Sequence, residues 1–234
     1  MSESINSVAW LTVESLSEEL LEDVVVFYSS SYDIDSNYYF NLLSDEEKQK
    51  STRFANDEQR RTWILSHAFL RIVCSHYLNR EPNEIVFSQN ENGKPFIQDS
   101  ILQFNLSHTE TAFLIAVSNH TVGIDLEPKS AIALVNDVAD FCFSEIEKVF
   151  LKSSEEYSTL AVWTAKESYL KAIGVGLVDD LRLINVVGDS QNVICENGFS
   201  SQTFYCPNGE ISTVVYSPLI TNVQFFKLPA TFLL

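Results

Sequence analysis

Ser44-Asp45-Glu46-Glu47-Lys48 returns one hundred residues later as Ser144-Glu145-Ile146-Glu147-Lys148, and this echo decides how the chain is read. Each copy has the Ser-x-x-Glu form of a capping box, in which the serine hydroxyl and the glutamate carboxylate satisfy free N–H groups at a helix start. The same gapless offset sets Trp63 over Trp163, Phe69 over Tyr169, Leu70 over Leu170 and Arg71 over Lys171. Several matches in one register point to two related halves, with 44–73 equivalent to 144–173. On that register the counterpart of Glu167 is His67.

Outward from these boxes, each half reads alike. A strand (Val24–Tyr28; Val122–Leu126) precedes the short capped helix, and a longer amphipathic helix follows over about 57–78 and about 157–173. The β-rich segments come next: Glu84–Ser88, Gln103–Leu106 and Ala112–Ser118, then Leu183–Val187, Gln202–Cys206, Ile211–Ser217 and Val223–Lys227. Turn residues punctuate them at Glu91-Asn-Gly-Lys-Pro95 and Cys206-Pro-Asn-Gly209. The expected class is α+β: two similar halves, each a long helix packed on a small antiparallel sheet, related by a pseudo-twofold axis. The expected division is 1–118 and 119–234, where the first meander ends.

Composition narrows the function. A chain of 234 residues with 45% hydrophobic residues is expected to be globular. Its apolar runs, such as Ala112–Val117, are strand-length and far short of a membrane span. The formal charge of −17 argues against a nucleic-acid partner, which demands a basic face. The scarce cations Lys48, Lys50, Arg53, Arg60, Arg61 and Arg71 nevertheless cluster, either as a pocket for a small polyanion or as a solvated helix face. Cys74, Cys142, Cys195 and Cys206 show no CxxC spacing and read as buried free thiols. With a Met1-Ser-Glu-Ser start that lacks a signal-peptide pattern, the expected compartment is the cytoplasm.

Four stretches carry chemistry. In Val122-Gly-Ile-Asp125-Leu-Glu127-Pro128 the two carboxylates share one strand face, either a partial shell for a hard cation or an ordinary strand edge. In Trp163-Thr-Ala-Lys166-Glu167-Ser-Tyr-Leu-Lys171, the residues Trp163, Glu167 and Lys171 lie along one side of a helix. Glu167 and Lys171 form either an i,i+4 ion pair or part of a site. Phe104-Asn-Leu-Ser107-His108 ends a strand with two potential phosphate donors, and Gly93-Lys94-Pro95 is a turn that can bring a lysine and backbone N–H to a ligand.

The succession G-K-P, F-N-L-S-H, V-G-I-D-L-E, W-T-A-K-E-S-Y-L-K resembles the phosphopantetheinyl transferase superfamily, and the duplication resembles its Sfp-type branch of two fused copies. The resemblance runs from about residue 44 to about 176. It implies transfer of 4′-phosphopantetheine from coenzyme A to a serine of an apo acyl or peptidyl carrier protein. It implies Mg2+ held by Asp125, Glu127 and Glu167, with Glu167 also taking the serine proton and Lys171 contacting a phosphate. Ser107 and His108 would hold the nucleotide, and Gly93, Lys94 and Pro95 would border the adenine. Lys50 and Arg61 would meet the 3′-phosphate, with Lys48 as an alternative, and Gly174 and Gly176 would cap the catalytic helix. The expected state is a monomeric pseudo-dimer acting on carrier protein and coenzyme A, with no nucleic acid or membrane partner. Because carrier proteins are acidic, docking would rely on a local patch rather than on bulk charge. Two other readings stand beside it: a Mg2+-dependent nuclease or phosphohydrolase, which a missing broad basic surface disfavours, and an inactive carrier-binding module, which the presence of Asp125, Glu167 and Lys171 disfavours.

Overall fold

In chain order the strands are β1 (Leu11–Thr12), β2 (Val24–Ser30), β3 (Phe87–Gln89), β4 (Pro95–Ile97), β5 (Gln103–His108), β6 (Ala112–Ser118), β7 (Val122–Glu127), β8 (Ser200–Tyr205), β9 (Ile211–Tyr216) and β10 (Val223–Lys227). The helices are α1 (Ser36–Phe40), α2 (Asp45–Ser51), α3 (Asp57–Leu78), α4 (Ile132–Cys142), α5 (Glu145–Leu151) and α6 (Ser158–Ile173). The computed structural model describes residues 5, 7–16, 23–32, 34–152, 158–176, 180–187 and 198–232. Met1–Ser4, Tyr157 and Cys195, all used in the sequence reading, lie outside the described residues. Among the described residues no helix is long and apolar enough to cross a membrane, and Cys74, Cys142 and Cys206 are free thiols.

Strand alternation explains the layering. Val25 and Phe27 of β2, with Phe113, Ile115 and Val117 of β6, pack on Leu65, Phe69 and Val73 of α3. The intervening residues Val24, Val26, Tyr28, Leu114 and Ala116 face the other way, onto Val122, Ile124, Leu126 and Val214 of the second sheet. Ile211 and Val215 of that sheet meet Leu160, Val162, Ala165 and Leu170 of α6. The order is therefore α3, sheet, sheet, α6, an α+β architecture of two similar halves. Within each half the strands repeat: β2-β6-β5 in the first is matched by β7-β9-β8 in the second, all antiparallel.

The first half's sheet is not purely antiparallel, however. β10 leaves its own half and pairs in parallel with β2, and β1 adds in parallel to β10. Adjacent Phe225 and Phe226 give the reason, since they are apolar on both faces and enter the two different cores.

Both capping boxes form as read, with Ser44 and Ser144 each bonded reciprocally to Glu47 and Glu147. The gapless offset fails in the long helices. Arg71, buried on α3, donates from Nε to Glu47 at 2.7 Å and from Nη1 to the Pro82 and Ile85 carbonyls. Lys166 takes the same place on α6, donating to Glu147 at 2.8 Å and to the Leu181 and Ile184 carbonyls. The helix-end residues Asn79 and Gly174, both left-handed (φ 49° and 69°), keep the separation of 95 that divides Arg71 from Lys166. Hence Trp63 and Trp163 are not equivalent, and Glu167 corresponds to Ile72 rather than to His67.

The same clamp corrects two strands. Glu84–Ser88 is a 3-10 turn (Pro82–Glu84) followed by β3, and Leu183–Val187 begins with a 3-10 turn (Leu181–Leu183). Their carbonyls accept from Arg71 and Lys166, so they are not free for a strand ladder.

Gly123 sets how closely β7 lies on α6. A Cβ there would stand 2.1 Å from the Ser168 carbonyl oxygen and 2.5 Å from the Ala172 nitrogen. Gly123→Ala is expected to destabilise the fold at the upper end of the about 1–3 kcal/mol typical of overpacking. A urea melt checks this, and an unchanged midpoint would contradict the close approach.

Candidate active site between the two halves

β7 is an edge strand of its sheet, and its free edge is held by the other half: the Ile124 N–H donates to Asn105 Oδ1 at 2.8 Å. Since Val122, Ile124 and Leu126 face inward, Gly123, Asp125 and Glu127 face α6. Asp125 is 6% exposed. Its Oδ1 accepts from Lys171 Nζ at 2.6 Å and from Ser107 Oγ at 3.0 Å, while Lys171 also donates to Ser107 Oγ at 3.1 Å. Asp125 Oδ2 is buried and has no hydrogen-bond partner. An unsatisfied buried carboxylate oxygen is costly and calls for a ligand.

Two more carboxylates approach it. Glu127 Oε1 accepts from Trp163 Nε1 at 3.1 Å. Burial, and then the charge of Asp125, push the Glu127 carboxyl up to about 7, against the pull of Trp163 and Lys171. Glu167 is likewise pushed up by burial and by Asp125, with Lys171 opposing. Among the described residues no ion pair involves Glu167, so the i,i+4 pairing with Lys171 is replaced by a Lys171–Asp125 bond across elements. Glu127 and Glu167, both raised by burial and then by the Asp125 charge, form with Asp125 a donor set suited to a hard cation. Among the described residues no group of three His, Cys, Asp or Glu stands in ready metal-holding geometry.

Two adjoining pockets meet at Lys171 and Leu106. One, of about 380 Å³, is lined by Ser107, His108, Asp125, Glu127 and Lys171. The other, of about 320 Å³, is lined by Gly93, Lys94, Pro95, Asn105, Glu167 and Lys171. The turn, the S-H strand end, the strand carboxylates and the helix face thus line adjoining pockets, with contributions from both halves. Lys94 differs from expectation. Its ammonium turns into the fold, donating to the Ala172 carbonyl at 2.7 Å, and burial draws it down to about 8. The pocket therefore meets its stem and backbone.

The basic cluster divides. Lys50 lies 5.8 Å over the Trp63 ring; desolvation, and then the charges of Lys171 and Lys50, push His108 below the usual histidine range. Arg61 lines a different pocket beside α1, with Asp35, Asp57 and Arg60, and its ion pair is with Glu58 at 4.0 Å. Lys48 pairs with Asp45 at 3.8 Å, and Arg71 is a core residue. Sequence reasoning assigned no role to Trp163 as a donor to Glu127, to Asn105 at the strand edge, or to Lys166. Their signal was present, since all three stand inside the quoted motifs, but their partners come from distant segments.

Comparison with known proteins gives two family matches along the chain. Residues 33–120 match the profile of the 4′-phosphopantetheinyl transferase N-terminal family, and residues 121–217 that of the 4′-phosphopantetheinyl transferase superfamily. The chain is 36% identical over 145 residues to the 4′-phosphopantetheinyl transferase gsp of Aneurinibacillus migulanus, covering 60% of each. It is 35% identical to HetI of Nostoc sp. (58% of this chain, 61% of the relative) and 30% identical to Sfp of Bacillus subtilis strain 168 (59% and 63%). The chain thus matches about three fifths of the length of these relatives.

Proposed function

We propose that this chain, which belongs to the 4′-phosphopantetheinyl transferase superfamily, transfers the 4′-phosphopantetheine group of coenzyme A to a serine of an apo carrier protein. The observation that carries the reading is Asp125: a buried carboxylate with one oxygen unpartnered, flanked by Glu127 and Glu167 where the two pockets meet. Asp125, Glu127 and Glu167 would hold Mg2+, which would neutralise charge developing on the leaving group. The serine Oγ bonds to the phosphorus nearest the pantetheine, and the bond from that phosphorus to the bridging oxygen breaks, releasing 3′,5′-ADP. Glu167 accepts the serine proton, a role that suits a carboxyl raised towards neutrality. Lys171, with Ser107 and His108, holds the phosphate oxygens. The Gly93-Lys94-Pro95 turn borders the adenine through its backbone. Lys50, on the same side as His108, meets the 3′-phosphate; Lys48 is its alternative, and Arg61 would contribute from the neighbouring pocket. The reading includes a monomer in the cytoplasm; the free thiols Cys74, Cys142 and Cys206 fit a reducing compartment.

Incubation with coenzyme A, Mg2+ and a panel of apo carrier proteins from fatty-acid, polyketide, peptide and lysine metabolism is expected to add one phosphopantetheinyl group to at least one carrier by mass. Chelation of the metal is expected to abolish the shift. No mass shift on any carrier, with a known transferase active in parallel, would overturn the proposal.

A further inference from the structure

The turn between β3 and β4 belongs to the first half but closes on the end of α6 in the second. Asn90 organises it: its Oδ1 accepts from the backbone N–H of Asn92 at 3.0 Å and of Lys94 at 2.8 Å. From this turn Asn90 Nδ2 and Asn92 Nδ2 both donate to the Gly174 carbonyl, at 3.0 and 3.1 Å. Lys94 Nζ adds its bond to the Ala172 carbonyl. The last carbonyls of a helix have no partner within it, and here donors from the other half supply them. Both helices end on the same backbone bond, Gly174 N–H to Leu170 O on α6 and Asn79 N–H to Ser75 O on α3, where the Arg80 N–H also returns to Ser75 O. The fit on α6 is close: a Cβ on Gly174 would stand 2.9 Å from Lys94 Cδ and 3.1 Å from Asn90 Nδ2.

We propose that Asn90 and Asn92 are positioning residues, a latch by which the first half holds the C-terminal turn of α6 and so sets Lys171 and Glu167 against the cleft. Lys171 lies three residues before the latched Gly174, and the same pocket is lined by Asn92, Glu167, Lys171 and Gly174. The residues act through α6 and not on the reacting atoms. Their catalytic consequence rests on the transferase reading, while the latch itself does not.

The test is Asn90→Asp/Asn92→Asp. Aspartate keeps the oxygen that accepts the turn's N–H groups, but sets carboxylate oxygens where both amides donated to the Gly174 carbonyl. Hydrogen exchange at the backbone amides of residues 170–176 is expected to rise at least about tenfold, with α3 unchanged. At saturating coenzyme A, kcat per active enzyme is expected to fall about tenfold while the carrier KM stays within about twofold, because small displacements of reacting groups cost rate rather than uniform binding. Should the double variant not fold, Asn92→Ser removes one donor alone, with a smaller change expected in both readouts. Unchanged exchange at 170–176 would overturn the latch whatever the activity. Faster exchange with unchanged kcat would overturn the positioning role. Absence of transfer by the wild type would instead overturn the transferase reading, leaving the exchange measurement to decide the latch.

Discussion

Lys166→Met is expected to destabilise the protein by about 3–5 kcal/mol, the range for removing one partner of a buried ion pair. Both Lys166 and Glu147 have side chains 0% exposed. The glutamate is committed on every side: Oε2 accepts from the Ser144 N–H at 2.8 Å as well as from Lys166, and Oε1 accepts from the Val186 N–H at 2.9 Å. Methionine would fill the space but leave that carboxylate without a counter-ion and take the ammonium donor from the Ile184 carbonyl, while the Leu181 carbonyl keeps the Ile184 N–H. Adding Glu147→Gln is expected to restore part of the loss, since it removes the unpaired charge. Arg71→Met in the first half should cost less, because its partner Glu47 keeps 14% of its side-chain surface and can recruit water. Chemical denaturation of the three variants measures the order. A loss below about 1 kcal/mol for Lys166→Met would show that the pair does not hold α5 to α6.

On the proposed transferase reading, Glu167→Gln is expected to lower single-turnover transfer by about 10²–10⁴, the usual worth of a positioned base, while leaving the fold intact. Glutamine has the same shape but cannot take the serine proton, and it is a poorer ligand for a hard cation. Stability should stay the same or rise slightly. Burial and Asp125 both disfavour the Glu167 charge, and among the described residues Glu167 forms no ion pair that its removal would break. A Glu167–Lys171 helix pair would predict the reverse, near-normal turnover with a small loss of stability. Transfer to an apo carrier and a thermal melt, run side by side, decide between them; turnover within tenfold of wild type would take Glu167 out of the chemistry.

Local periodicity carried much of what was legible. The two capping boxes, the extent of α3, and the shared faces of Asp125 with Glu127 and of Trp163 with Glu167 and Lys171 all follow from spacings of two, three or four residues. Such spacings say which way a side chain points from its own element, so the carboxylates, the S-H strand end and the G-K-P turn could be named as one site. They do not say what comes to meet it. Lys171 had Glu167 one turn away but found Asp125, which the β7 strand brings within 2.6 Å. Arg71 aligned with Lys171 in sequence but does in the first half what Lys166 does in the second, because a buried cation is placed by the carboxylate and carbonyls that satisfy it. Arg61, close to Lys50 in the chain, faces another pocket because α3 turns it towards α1. β10 joined the other half's sheet because Phe225 and Phe226 each needed a different core. Direction along each helix and strand was written locally; the partner of each buried charge was decided by how the elements of its own half pack, and that of the last strand by which surfaces the two halves could bury only against each other.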